Sequence, residues 1–210
     1  MSKKLDFPAT ARNANAILAI LQQYMAFGDV FEIASGSGQH VVHFAKALRQ
    51  NTFWPSDPEP DHIASIIAWS EQASLCNIMP PQRLDVTDHN WYNGDPIEGL
   101  PESFSAILCS NMIHIAPITA AKGMFAGAGK RLQDDGQLFL YGPFFGISDN
   151  EAPSNIEFDK NLKQRNPEWG VRSIDKVKAW ADSCGLYLGK TISMPANNFV
   201  LIFHKNNTDS

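Results

Sequence analysis

Two β-rich runs near the C-terminus, LYLGKTISM (186–194) and NFVLIFHK (198–205), are separated only by the tripeptide PAN. A parallel crossover needs a dozen or more residues, so these strands must pair as an antiparallel hairpin. Upstream, strands and helices alternate. The spacing of Ile17, Leu18, Leu21 and Met25 predicts a helix over NANAILAILQQYMAF. DVFEIA then reads as a short buried strand. QHVVHFAKALRQ follows as an amphipathic helix with Val41, Phe44, Ala45 and Leu48 inward, and TFWPS as a second strand. EPDHIASIIAWSEQASL is a helix with Pro60 in its first turn, and PQRLDV a weaker third strand. Beyond a loop holding Trp91, FSAILCSNMI is a buried fourth strand. ITAAKGMFAGAGKRL is a helix interrupted by Gly123, Gly127 and Gly129, and DDGQLFLYGPF a turn and fifth strand. SIDKVKAWADSCG is a helix opened by Ser173 as N-cap and closed by Gly185.

Five βα units and a terminal hairpin predict an α/β sandwich with a mostly parallel sheet, an antiparallel last strand and ligand at the carboxyl ends of the strands. That ending is the arrangement of the class I methyltransferases. A length of 210 residues suits one domain over 1–210, comprising an N-terminal arm and helix (1–28) and a segment after the fifth strand (142–172). The net charge of −5, with no run of lysine or arginine, argues against a broad nucleic-acid footprint. No segment approaches the roughly 20 apolar residues that span a bilayer. MSKKLDFPATARN carries two lysines with no apolar stretch behind them, unlike a signal peptide. Cys76, Cys109 and Cys184 are far apart with no CxxC pair, which fits reduced thiols and a cytoplasmic location, Cys109 and Cys184 reading as core residues. The polar tail KNNTDS is expected to fray.

The chemistry centres on FEIASGSGQH, a strand running into a glycine corner and then a helix. Glycines there let backbone approach a ligand closely. The dinucleotide fingerprint G-x-G-x-x-G/A is poorly met, because Val41 stands where Gly or Ala belongs. The pattern E/D-x-G-x-G-x-G of S-adenosylmethionine sites fits better: Glu32, Ala34, Gly36 and Gly38 fill it, with Ala34 replacing one glycine. That cofactor carries an ammonium and a sulfonium rather than a pyrophosphate, so an acid near the first strand's end supplies favourable charge. Asp57 ends the second strand, where an acid accepts hydrogen bonds from ribose hydroxyls. Asp85 ends the third, placed to accept from an adenine amine, with Val86 packing on the base. Each acid alone reads equally as a helix cap or loop carboxylate; three of them beside a glycine corner point to one site.

CSNMIHIAP follows the fourth strand and should face a transferable methyl. It lacks the N/D-P-P-Y/F motif of many nitrogen methyltransferases. Asn111 can bond the amino-acid part of the cofactor. His114 is the best nearby general base by its ordinary pKa, or else a structural histidine opening the next helix. Tyr141 ends the fifth strand and points at the same cleft. His40 and His43 share a helix face but lack a carboxylate or cysteine partner, so no metal site is expected. Residues 155–172 form either a lid and substrate wall or a surface loop with a short helix.

ARN, EIASGSGQHVVHFA, PSD, LDV, NMIHIAP, YGPF, SN-EFD-L-RNPEWGVR and MPANN resemble, in order and over nearly the full chain, the methyltransferase-like protein 26 family of small proteins, also described as a domain of unknown function. The resemblance implies a Rossmann-like class I fold with seven strands in the order 3-2-1-4-5-7-6. It implies S-adenosylmethionine as cofactor, S-adenosylhomocysteine as product and a small-molecule acceptor. It also points to Arg12 and Asn13 on the cofactor side, and to Asn155, Phe158, Asp159, Arg165, Trp169, Asn197 and Asn198 on the substrate side. Ser37 departs from the usual threonine, and Ile118 from a tryptophan expected after Pro117.

The leading function is therefore methyl transfer to a small molecule. A non-catalytic cofactor-binding or interaction protein is the alternative from a different class. A nicotinamide-dependent oxidoreductase ranks below both, given Val41, the terminal hairpin and the lack of a YxxxK pair.

Overall fold

A computed structural model describes residues 3–147 and 151–206. Its elements are α1 (Pro8–Tyr24), β1 (Gly28–Ile33), α2 (Gln39–Ala47), β2 (Asn51–Asp57), α3 (Pro60–Ala73), β3 (Gln82–Arg83), α4 (His89–Asn93), β4 (Phe104–Ser110) and α5 (Ile118–Arg131). The chain continues as β5 (Leu132–Gly142), β6 (Phe144–Phe145), α6 (Pro153–Arg165), β7 (Arg172–Ser173), α7 (Ile174–Asp182), β8 (Leu186–Met194) and β9 (Asn198–Lys205).

The main sheet has the order β3-β2-β1-β4-β5-β9-β8. Counting only its own strands, this is 3-2-1-4-5-7-6. The small parallel pair β6–β7 stands apart and was not expected from the sequence. β9 runs antiparallel to both β5 and β8, as the short PAN connection requires.

Because side chains alternate along a strand, each sheet face has its own core. Val30, Phe53, Ala106 and Leu108 pack with Ile17 and Leu21 of α1, Val41 and Phe44 of α2 and Ile66 of α3. On the other face, Phe31, Ile33, Ile107 and Cys109 pack with Trp91, Met124 and Phe125. Val41 is thus a core residue.

Trp91 lies in the short helix α4 rather than a loop, a single turn too brief to show periodicity. Its indole is fully buried, stacks on Phe31 at 5.2 Å and donates from Nε1 to the Gly123 carbonyl at 3.0 Å. This packing accounts for the glycines of α5. A Cβ on Gly127 would lie 2.0 Å from Trp91 Nε1, and one on Gly123 2.2 Å from the Val86 carbonyl oxygen. The glycines admit close approach instead of ending the helix.

Other expectations shift at element ends. The third strand is only Gln82–Arg83, so Asp85 lies beyond it. The fourth strand stops at Ser110, and Met112–His114 form a 3₁₀ turn. Ser173 flanks α7 but makes no side-chain cap bond. Cys109 is buried, Cys184 half-buried against the core and Cys76 exposed, all as free thiols. Of the 142–172 segment, residues 148–150 fall outside the described residues; of the KNNTDS tail, residues 207–210 do.

Candidate functional site

The glycine turn between β1 and α2 places three residues at positive φ, Ala34 at 54°, Gly36 at 58° and Gly38 at 87°. A Cβ at Gly38 would come within 2.8 Å of the Ile66 Cα, so only glycine suits both the conformation and the packing. Asp57, the last residue of β2, braces this turn. Its Oδ2 accepts from the Gly36 amide at 2.9 Å, while Oδ1 accepts from the Glu59 amide at 3.0 Å and contacts His62 Nδ1 at 2.9 Å. Those bonds occupy the carboxylate inside the protein. Of the two acids in PSDPEP, the one that lines the neighbouring hollow is Glu59, which sequence reasoning passed over.

That hollow, of about 380 Å³, lies between the ends of β1, β2 and β3 and is lined by Ala34, Glu59, Leu84, Asp85, Val86 and Trp169 among others. Asp85 accepts at Oδ1 from both the Thr87 amide and hydroxyl, each at 2.8 Å. Glu32 sits behind the turn on β1 with 3% exposure, and its Oε2 has no hydrogen-bond partner. Burial pushes its carboxyl up to about 7; a hydrogen bond from Ser35 opposes the rise and Asp57 adds to it.

A second cleft, of about 640 Å³, adjoins the first, and Ile115 lines both. α1 contributes Arg12 and Asn13, the turn after β4 contributes Asn111, β5 Tyr141, α6 Asn155 and Phe158, the β8–β9 connection Pro195 and Ala196, and the start of β9 Asn198. Asn111 takes a left-handed φ of 62°, its amide donating to the Tyr141 carbonyl at 2.8 Å. His40 Nε2 lies 2.8 Å from Asn13 Oδ1. Burial pushes His40 down to about 4, so the ring is neutral and Nε2–H donates. Tyr141, whose ionised phenol Asn13 favours by hydrogen bonding, lines the same cleft. Burial raises the Tyr141 phenol, and the bond from Asn13 only partly offsets it.

Several predicted site residues lie elsewhere. His114 is fully buried against Phe144, lines neither hollow, and has no partner for either ring nitrogen. Burial and the Arg172 charge push it down to about 3, so it is not placed as a general base. Asp159 holds the backbone, accepting from the Val171 amide at 2.9 Å and pairing with Lys163 at 2.6 Å. The Arg165 guanidinium rests 5.1 Å from the centre of the Trp169 ring. Asn197 bonds Ser154 and Asn155 rather than lining the cleft. Trp169 belongs to the smaller hollow with Asp85, not to the substrate-side cleft. Among the described residues, no three His, Cys, Asp or Glu side chains cluster as a metal set, and no helix is long and apolar enough to cross a membrane.

An O-methyltransferase family protein from Burkholderia thailandensis superposes with a TM-score of 0.78 at 13% identity, over 96% of this chain and 58% of that one. An O-methyltransferase family 2 protein from Planctomyces limnophilus, in complex with apigenin, gives 0.73 at 17%, over 94% and 60%. Human N-acetylserotonin methyltransferase in complex with SAM gives 0.74 at 11%, over 95% and 53%. These likenesses establish a class I methyltransferase fold, and the chain spans little more than half the length of each. A model of the family described as "Protein of unknown function (DUF938)" matches residues 4–205.

Proposed function

The chain belongs to the DUF938 family, and from that premise we propose that it is an S-adenosylmethionine-dependent methyltransferase acting on a small-molecule acceptor. The observation that carries this reading is the meeting of two hollows at Ile115, at the carboxyl ends of the strands. One is lined by acids and apolar residues beside the glycine turn, the other by amides and a tyrosine. This layout suits a nucleoside on one side and an acceptor on the other. The fold neighbours that bind SAM or apigenin support the same class.

The residues present fit the cofactor. The buried, unpartnered Oε2 of Glu32 suits its ammonium. Glu59, in place of Asp57, is the acid free to accept from ribose hydroxyls. Asp85 would accept from the adenine amine, with Leu84 and Val86 beside the base, and Arg12 and Asn111 would meet the amino-acid end. The cofactor supplies a methyl on a sulfonium, which needs only an aligned lone pair. Among the described residues, the lining of the larger cleft holds no histidine and no carboxylate, and Tyr141 is held protonated. Catalysis by this chain then rests on orientation and exclusion of water, and the acceptor must arrive as a neutral lone-pair donor or already ionised. Tyr141, Asn155 and Asn198 would bind it, with Phe158 as an apolar wall. Kinship with the methyltransferase-like protein 26 family and a cytoplasmic location belong to the same reading.

Incubation with labelled S-adenosylmethionine and a panel of phenols, amines, thiols and carboxylic acids tests it. The expected result is S-adenosylhomocysteine released in proportion to one acceptor, with Glu59→Gln raising the KM for the cofactor about tenfold or more. Native mass spectra showing that folded protein binds neither S-adenosylmethionine nor S-adenosylhomocysteine would contradict the proposal. The lack of a histidine or carboxylate in the cleft among the described residues also suits a non-catalytic cofactor-binding protein, which predicts retained cofactor and no product across the panel.

A further inference from the structure

The chain between β5 and α7 touches both hollows. The first turns of α6 supply Ser154, Asn155 and Phe158 to the larger cleft, while the residues just beyond its end supply Asn166 and Trp169 to the smaller one. The sequence left this segment as either a lid and substrate wall or a surface loop with a short helix. Here the far end reaches the hollow that holds Leu84, Asp85 and Val86.

That end is firmly held. Arg172 is 9% exposed and donates to three carbonyls, Nε to Ile113 at 2.8 Å, and Nη2 to Ala116 at 2.8 Å and Glu168 at 2.9 Å. The Gly170 amide donates to the His114 carbonyl at 2.9 Å, and the Val171 amide to Asp159 of α6. The Trp169 loop, the 112–116 turn and α6 are therefore tied together. Ile115 of that turn lines both hollows. Arg165 covers part of the Trp169 ring, so a ligand can meet the indole only across its remaining face or edge.

We infer that Trp169 forms the outer wall of the base-binding hollow, so that α6 couples occupancy of that hollow to the shape of the acceptor cleft. The inference rests on the proposed function, because it takes the smaller hollow as the nucleoside side. A flat purine is what an indole opposite Leu84 and Val86 recognises, and stacking contacts of this kind are worth a factor of roughly ten or more in affinity. Cofactor binding would then order the wall that meets the acceptor.

The test is tryptophan fluorescence of the full chain during titration with S-adenosylhomocysteine, adenosine and methionine. S-adenosylhomocysteine and adenosine are expected to quench emission, and methionine to leave it unchanged. Trp169→Phe should abolish the quench while retaining binding by calorimetry, and Trp169→Ala should weaken S-adenosylhomocysteine about tenfold. Amide hydrogen exchange at 153–162 should slow on binding in the wild type and not in Trp169→Ala. Wild-type affinity in Trp169→Ala, or an unchanged quench in Trp169→Phe, overturns the inference and leaves the proposed function standing. Absence of any S-adenosylhomocysteine binding by wild-type protein overturns both.

Discussion

Asp57 ends β2 and braces the glycine turn, and Glu59, just beyond it, lines the smaller hollow and is the acid proposed to meet the ribose. Asp57 spends both oxygens on the Gly36 and Glu59 amides and on His62, so its loss is a fold defect first. Asp57→Ala is expected to cost about 1–3 kcal/mol of stability, seen as an earlier urea transition. Glu59→Gln should leave that transition in place and weaken cofactor binding alone. Glu32 carries a pH signature. Its folded pKa of about 7 lies above the ordinary 4.5, so between those values the native state holds more protons than the unfolded chain. Stability from this group therefore falls as pH rises from about 4.5 to 7 and levels above. In urea unfolding, the wild type should lose on the order of 3 kcal/mol relative to Glu32→Gln across that window, whatever the net trend of the other groups. A cationic ligand beside Glu32 favours its charged form. Binding of S-adenosylhomocysteine near pH 7 should then release a proton, read as a calorimetric heat that depends on the buffer. Glu32 and the glycines were legible because local spacing fixes them. Glu59 was not, since only the folded strand end shows that Asp57 turns inward onto the glycine turn and leaves Glu59 at the rim of the smaller hollow. His114 misled for a similar reason: its ordinary pKa suits a base, but burial under Phe144 depends on tertiary packing.

The elements read correctly were those with enough length to show a period. α1, α3, α5 and the β8–β9 pair each carry several apolar repeats, whereas α4, β3, β6 and β7 hold five residues or fewer. One consequence is local to α5. Its glycines look like helix breakers by propensity, yet Gly127 faces the Trp91 indole at a distance no side chain tolerates. Gly127→Ala is expected to destabilise the protein by about 1–3 kcal/mol despite the better helix propensity of alanine. Thermal melts should show the loss, and a raised melting temperature would mean that Trp91 repacks freely. α6 was open to two readings in sequence, lid or surface loop, because its polar face gives little period. In the structure α6 lines the larger cleft through Ser154, Asn155 and Phe158, and the residues just beyond its end line the smaller hollow.

For the whole molecule, the alternation of strands and helices and the short final hairpin predicted a mostly parallel sheet with an antiparallel end, which the structure has, whereas the strand order was implied by the family resemblance alone. Charge linkage acts at this scale too. His40, His43, His114 and His204 are all pushed below the ordinary 6.5, chiefly by burial. Between pH 6.5 and about 4 the unfolded chain binds more protons at these rings than the native state does. Their stabilisation is therefore full above pH 6.5 and lost on acidification through that window, outweighing the opposite trend of Glu32. Urea midpoints should fall as pH drops from 6.5 to 4. The larger cleft, proposed for the acceptor, is the part least written in the sequence, since it takes its lining from α1, β5, α6 and the β8–β9 connection, which only the complete fold brings together. Calorimetric titration of the purified chain with S-adenosylhomocysteine bears most directly on the proposed methyltransferase. One site of micromolar affinity is expected, weakened by Glu59→Gln, and a folded protein that binds none would contradict it.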